Sequence, residues 1–362
     1  MTGTLTRYFG LRFLNTLLAV TMALFALIVL LDYVEMMLRM ADVRNISALT
    51  VAKISLFRVP QFAEQILPFS ILIATMSCYL NLSRRLELVV SRAAGLSAWQ
   101  FIAPAVVIAL LVGVAATVAI NPIAAVLAER AKRLEAEFSG DVQSGLQKTV
   151  NGFWVTQRSD HGHSIINAAS SREQGVLLSN VTAFAFDRGG HFYERVEAKT
   201  AALESGYWQL REARVYAIGT PPSERESYRL DTNLTPTQVR ETFSTPETVP
   251  FWQLPFFIDT AERAGLTAAG YHLQFQKLLA RPFMLAAMVL LAAAFSLRFF
   301  RFGGVQKMIL GGMASGFLLY VMSKVTDDLS KAELLTPAIG AWMPAVVGGM
   351  IGLVALLYQE DG

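Results

Sequence analysis

Six stretches of this chain carry no charged side chain at all: between Arg12 and Asp32, Glu64 and Arg84, Arg92 and Glu129, Arg281 and Arg298, Lys307 and Lys324, and Glu333 and Glu360. A helix needs roughly 20 mostly apolar residues to cross about 30 Å of hydrocarbon, and somewhat fewer when flanking Lys and Arg reach back to the interface. The pattern therefore predicts six membrane crossings. Composition agrees, since 54% hydrophobic and 16% charged residues is far from a soluble chain, in which about 25% are charged. Arg7 and Arg12 before the first run resemble a secretory signal. That run is longer than a signal core, however, and passes into Leu31-Asp32-Tyr33-Val34-Glu35 without a small-x-small cleavage site, so it reads as the first membrane helix.

The crossings are expected at about Phe13–Leu31, Gln65–Ser83, Phe101–Ala119, Leu278–Leu297, Met308–Ser323 and Pro337–Tyr358. Glu35 to Phe62 reads as helical at the membrane surface, with Pro60 breaking it from the second crossing. Asn121-Pro122 marks a bend after the third, whose polar continuation Ala128–Phe138 carries Glu, Arg and Lys at helical spacings. Gly303, Gly304, Gly311, Gly312 and Gly316 predict a tightly packed face on the fifth helix.

Between about Ser139 and Val249 the period changes from helical to alternating. Val181–Phe186 and Phe192–Leu203 alternate around the turn Asp187-Arg188-Gly189-Gly190, with Arg195, Glu197 and Lys199 on one face. Glu204-Ser205-Gly206 turns into Tyr207-Trp208-Gln209-Leu210, and Pro221-Pro222 interrupts the next pair of strands. An all-β sandwich or open barrel follows. The domain boundaries fall at 1–138 (helices 1 to 3, with a short amphipathic helix at 84–95), 139–250 (the β-domain) and 251–362 (helices 4 to 6).

Six crossings put both termini on one side. If that side is inside, Arg7, Arg12, Arg84, Arg85, Arg92, Arg298, Arg301 and Lys307 lie there. The opposite ends carry as many cations: Arg39, Arg58, Arg130, Lys132, Arg133, Lys277, Arg281 and Lys324. The positive-inside rule thus decides poorly. Two readings of the outer cations stand: ion pairing with acids such as Asp32, Glu35, Glu129 and Glu135, or a surface for an anionic lipid head group.

A net charge of +3 and the lack of a basic-aromatic tract argue against nucleic acid. The single Cys78 excludes an intrachain disulfide. There is no Gly-x-x-x-x-Gly-Lys-Ser/Thr phosphate loop, no Gly-x-Ser-x-Gly elbow, and no carboxylate inside any apolar run of the kind ion-coupled carriers use. His161-Gly162-His163 lacks a third ligand and reads as a solvated loop. No enzyme site emerges.

The segment Arg84-Arg85-Leu86-Glu87-Leu88-Val89-Val90-Ser91-Arg92-Ala93-Ala94-Gly95-Leu96-Ser97 resembles the cytoplasmic coupling helix of the LptF/LptG permease family of the lipopolysaccharide export transporter. Leu86, Val89 and Val90 share one of its faces, and Gly95 suits a left-handed C-terminal cap. Leu67-Pro68, Trp208-x-Leu210 and Ala338-Ile339-Gly340-Ala341-Trp342-Met343-Pro344 also match, and this last segment, with Gly311 to Tyr320, sits closer to the LptG branch than to the LptF branch. The resemblance covers the whole chain.

It implies six transmembrane helices, three plus three, around an inserted periplasmic β-jellyroll, in the bacterial inner membrane with both termini cytoplasmic. It implies a subunit that is no enzyme itself: two copies of the ATPase LptB bind ATP and magnesium. An LptF partner completes a membrane cavity for lipopolysaccharide, and LptC extends the periplasmic slide. Arg84, Arg85, Glu87 and Arg92 would face the ATPase, with Glu87 matching the coupling acid. Arg39, Arg130 and Arg133 would hold lipid phosphates, although Asp32, Tyr33 and Glu35 replace much of the basic region some relatives carry on the first helix. Phe184, Phe186 and Trp208 would line the slide. The alternative is a membrane-anchored scaffold whose β-domain binds another protein without moving lipid; a coupling helix argues against it.

Overall fold

The computed structural model describes residues 2–39, 48–138, 153–159, 162–172, 175–187, 189–233, 246–263, 268–300 and 305–361. Its helices are α1 (Thr2–Arg39), α2 (Ala48–Arg84), α3 (Glu87–Ala93), α4 (Ala98–Ala115), α5 (Asn121–Phe138), α6 (Leu254–Arg263), α7 (Ala269–Phe300), α8 (Val305–Lys331) and α9 (Pro337–Asp361). Among the described residues, six helices are long and apolar enough to cross a membrane: α1, α2, the run Ala98–Lys132, α7, α8 and α9. The chain divides into a helical unit, 1–131 with 250–252 and 269–362, and a second unit holding the sheet, 132–249 with 253–268.

Two expected breaks are absent, and both involve proline. α2 passes through Pro60 and Pro68 as one helix, and α4 joins α5 through a π-helical turn at Ala116–Ile120 instead of bending at Asn121-Pro122. An interior proline forfeits a hydrogen bond to the carbonyl four residues earlier, which in water breaks most helices. In a membrane bundle, a neighbour can satisfy the freed carbonyl. That happens at three prolines among the described residues. Pro122 leaves Val118 O to accept from Trp252 Nε1 at 3.3 Å. Pro282 leaves Leu278 O to accept from Thr117 Oγ1 at 2.9 Å, and Pro344 leaves Gly340 O to accept from Thr326 Oγ1 at 2.9 Å. Each proline thus becomes a point of attachment to another segment, 134 and 161 residues away in sequence at Pro122 and Pro282 and 14 at Pro344.

α7 is the centre of the bundle, packed against α2, α4, α8 and α9. Its alanines 286, 287, 292, 293 and 294 are buried with Leu285, Met288 and Val289. Lipid solvates apolar side chains as well as protein does, so close backbone approach and dispersion hold such helices together. A Cβ on Gly113 would lie 2.5 Å from Pro282 Cα, and one on Gly352 would lie 2.9 Å from the backbone of Leu290. The packed glycine face of the fifth crossing is borne out at Gly312, against Met76, and Gly316, against Leu72; Gly303 and Gly304 lie outside the described residues. Leu18, Met22 and Leu30 of α1, Leu310 and Phe317 of α8, and Met350 and Val354 of α9 point outward.

The second unit contains six antiparallel strands in consecutive order: β1 (Phe153–Ser159), β2 (Gly162–Arg172), β3 (Leu177–Asp187), β4 (Phe192–Glu204), β5 (Tyr207–Ala217) and β6 (Ser223–Asp231). The expected turns stand where the residues placed them. Asp187 Oδ1 accepts from the N–H groups of Gly189 at 2.8 Å and His191 at 2.9 Å, and the His191 N–H chiefly holds the carboxyl below its usual range. His163, expected in a loop, stands in β2 with its ring stacked on Phe186, centroids 4.7 Å apart.

The described strands make a meander, not the paired Greek keys of a jellyroll. A second layer arises by creasing. Regular pairing lapses along the line Ala169, Asn180, Lys199, Glu212 and Glu226, where Asn180 (φ 50°) and Glu212 (φ 51°) take the left-handed conformation. The crease reverses the alternation: Leu178 is buried before it and Val181, Ala183 and Ala185 after it, and the same switch separates Val196 and Ala198 from Ala201 and Leu203. Trp208, beyond the crease on β5, donates its indole N–H to Gln157 Oε1 on β1 at 2.8 Å. The two halves of the sheet therefore face each other across one apolar core.

Candidate functional site

The 84–95 segment differs in detail from one amphipathic helix. Arg84 is the last residue of α2, and Leu86 is left-handed (φ 61°) and turns the chain into α3, which starts at Glu87. That conformation costs an L-residue roughly 1–2 kcal/mol, so the turn is held by its surroundings. Leu88 is the anchor, buried in the same core as Phe9, Phe13 and Phe101. At the far end Gly95 (φ 83°) closes a Schellman cap as expected: Leu96 N donates to Ser91 O at 3.1 Å, and Gly95 N to Arg92 O at 2.9 Å.

What α3 leaves uncovered matters more. Leu86, Val89 and Val90 are 58%, 45% and 67% exposed, ringed by the exposed Arg84, Arg85 and Arg92. A charged rim around an apolar centre is the composition of a protein-docking patch. Glu87 is half-buried beside it and accepts a hydrogen bond from Tyr8 Oη at 2.9 Å. Tyr8 was not singled out from the sequence, and a contact spanning 79 residues leaves no local signal that would have found it.

At the opposite end of the helices, cations and acids meet in pairs. Asp32 (side chain 5% exposed) lies 3.4 Å from Arg58 and accepts from Ser55 Oγ at 2.7 Å. Lys277 lies 2.6 Å from Asp327, and Arg281 lies 3.0 Å from Glu64. Three of the cations at this end thus answer to acids on neighbouring helices, as the ion-pairing reading expects. Asp32 engages Arg58, not a rim arginine. Of the proposed head-group ligands, Arg130 is exposed on α5; the side chains of Arg39 and Arg133 lie outside the described residues.

The three aromatic residues expected inside the β-domain are divided. Trp208 is fully buried in the inner core, while Phe184 and Phe186 occupy the other face with Arg195 and Phe192. The crease is the reason. It shifts β3 by half a period at Asn180, so even-numbered residues point inward at Leu178 and outward at Phe184. Among the described residues no three His, Cys, Asp or Glu side chains gather as metal ligands.

A multi-pass helical bundle with an inserted sheet and an exposed apolar patch among arginines at one end has the form of a transporter's membrane subunit. The chain matches the family described as lipopolysaccharide export system permease LptF/LptG over residues 7–358, and it belongs to that family. It is 24% identical to lipopolysaccharide export system permease protein LptG of Escherichia coli K12 over 367 residues, 99% of each chain. It is 23% identical to the protein of that name from Haemophilus influenzae over 359 residues, 96% of each. This is a non-catalytic permease subunit of a lipopolysaccharide export transporter.

Proposed function

We propose that α3 is the docking element for a cytoplasmic ATPase of the LptB type, two copies of which hold ATP and magnesium, and that this chain pairs with an LptF-type subunit around the lipid cavity. The patch of Leu86, Val89 and Val90 carries the reading: an apolar surface with a charged rim on a tip anchored by Leu88 fits a protein groove better than lipid. On this reading both termini are cytoplasmic, and the sheet is periplasmic in the inner membrane, where an LptC-type sheet continues it. Lipopolysaccharide passes into the creased core beside Trp208, and Arg39, Arg130 and Arg133 hold its phosphates. ATP closes the ATPase pair, α3 moves with it, and lipid moves because the conformations differ in affinity for it.

Glu87→Ala should preserve membrane insertion while weakening ATPase association or separating hydrolysis from export. A charge-assisted contact is worth about 1.5–3 kcal/mol, so co-purification at matched expression should fall at least about tenfold. Normal association and normal export together would remove Glu87 from the mechanism. A Ser159→Cys protein labelled only from the cytoplasmic side would invert the orientation.

A further inference from the structure

Glu64 receives more than Arg281. Its Oε2 atom accepts from Arg281 Nη2 at 3.0 Å and from Asn121 Nδ2 at 3.3 Å. The Asn121 side chain, itself 2% exposed, uses its Oδ1 to accept the backbone N–H of Phe251 at 3.0 Å. Asn121 opens the helix by which the chain leaves the bundle toward the sheet, and Phe251 stands where it returns. Next to Phe251, Trp252 caps the carbonyl that Pro122 releases. Both stems of the inserted domain are therefore tied, through one buried amide, to one carboxylate on α2.

The other end of α2 is the coupling tip. The helix continues from Glu64 to Arg84, with Pro68 one turn after Glu64, so at 1.5 Å per residue about 30 Å of one continuous helix separates the carboxylate from the turn at Leu86. A well-packed apolar trio would hold the helices together as firmly as a buried ion pair does, because desolvation consumes much of the pair's attraction. What the polar node adds is direction: it fixes which helix the stems follow.

We propose that Glu64, Asn121 and Arg281 form a transmission node, positioning residues through which displacement of α2 at the coupling tip reaches the roots of the sheet domain. The proposal rests on the reading of α3 as the ATPase-docking element. Asn121 is the informative position, because its replacement cuts the link to the stems and leaves the Glu64–Arg281 pair in place.

The test uses the assembled transporter in proteoliposomes containing lipopolysaccharide, with a photo-crosslinker at Tyr228, which packs against the inner core of the sheet. Hydrolysis rate, ATP-dependent capture of lipopolysaccharide and thermal stability are read together. Asn121→Ala and Asn121→Asp should keep hydrolysis within about twofold and lower capture per ATP at least about fivefold. Ionised Asp retains the acceptor for Phe251 N–H and has no proton to donate to Glu64, so in assays run on the alkaline side, where the carboxyl is ionised, a purely local stem-holding role predicts that Asp rescues Ala. Rescue by Asp, or unchanged capture per ATP in both variants, overturns the node. Where Asn121→Ala assembles poorly, Glu64→Asp, which keeps the charge but withdraws it by one methylene, carries the same expectation. Glu87→Ala is run in parallel: if it changes neither association nor export, the docking reading has failed; if it uncouples while the Asn121 variants deliver normally, only the node has.

Discussion

The two ends of the helical bundle are built on opposite plans. At the end where the inserted domain attaches, charges are paired and largely buried: Asp32 with Arg58, Glu64 with Arg281, Asp327 with Lys277. At the other end, Leu86, Val89 and Val90 stand in the open beside Arg84, Arg85 and Arg92. The first end resolves its awkward groups within the chain, as buried charges must. The second leaves apolar surface uncovered, which a monomeric protein would avoid and a subunit needs. The same contrast separates two helices: 67% of the apolar window of α7 is buried within this chain, against 6% of that of α1. α7 is the keel; lipid or another subunit must cover α1.

That contrast predicts where substitutions abolish folding and where they alter function alone. The largest effect is expected at Gly113→Val. A side chain there meets the Pro282 backbone, which cannot retreat without separating α4 from α7, so no folded protein should be recovered from membranes. Recovery at wild-type yield and melting temperature would show that α7 is not the keel.

Next comes the Lys277–Asp327 pair. Lys277→Met alone leaves the buried Asp327 carboxylate without its partner, at a cost of about 3–5 kcal/mol, whereas Asp327→Asn alone strands a lysine that is 38% exposed and costs less. The double substitution should regain at least half of the lost thermal stability in detergent. Additive losses would mean that the pair is not coupled.

Smaller in stability but visible in function is the rim. Arg39→Ala with Arg130→Ala and Arg133→Ala should lower lipid-stimulated ATP hydrolysis and export while complex yield and melting temperature hold. An unstable complex, or an unchanged lipid response, would return these arginines to ordinary ion pairing and make the two ends less different than they look.

The smallest effect lies at the turn into α3. Leu86→Gly relieves a left-handed leucine and removes one exposed apolar side chain, so this chain should gain about 1 kcal/mol or less. ATPase association should nevertheless weaken. Tighter association in the variant would count against the apolar patch as the docking surface.

Much of this architecture was legible in the residues. Long charge-free apolar runs flanked by Lys and Arg leave a chain little choice but to cross a bilayer, and turn chemistry at Asp187-Arg188-Gly189-Gly190 and Glu204-Ser205-Gly206 placed two hairpins correctly. The short helix α3 and its closing Gly95 were likewise readable, because a cap is a local event. Proline misled. Pro60 and Asn121-Pro122 looked like breaks because local rules count the lost hydrogen bond; at Pro122 they cannot see the donor that replaces it, Trp252, across 134 residues of sequence. The face of the sheet on which Phe184 and Phe186 lie was equally out of reach, since a half-period shift at Asn180 decides it and strand alternation assumes that no such shift occurs. Periodicity and charge, which act between near neighbours, determined how many elements there are and what solvent each meets. Which acid answers which cation, and which face of the sheet turns inward, are settled between residues far apart in the chain and close only once it has folded.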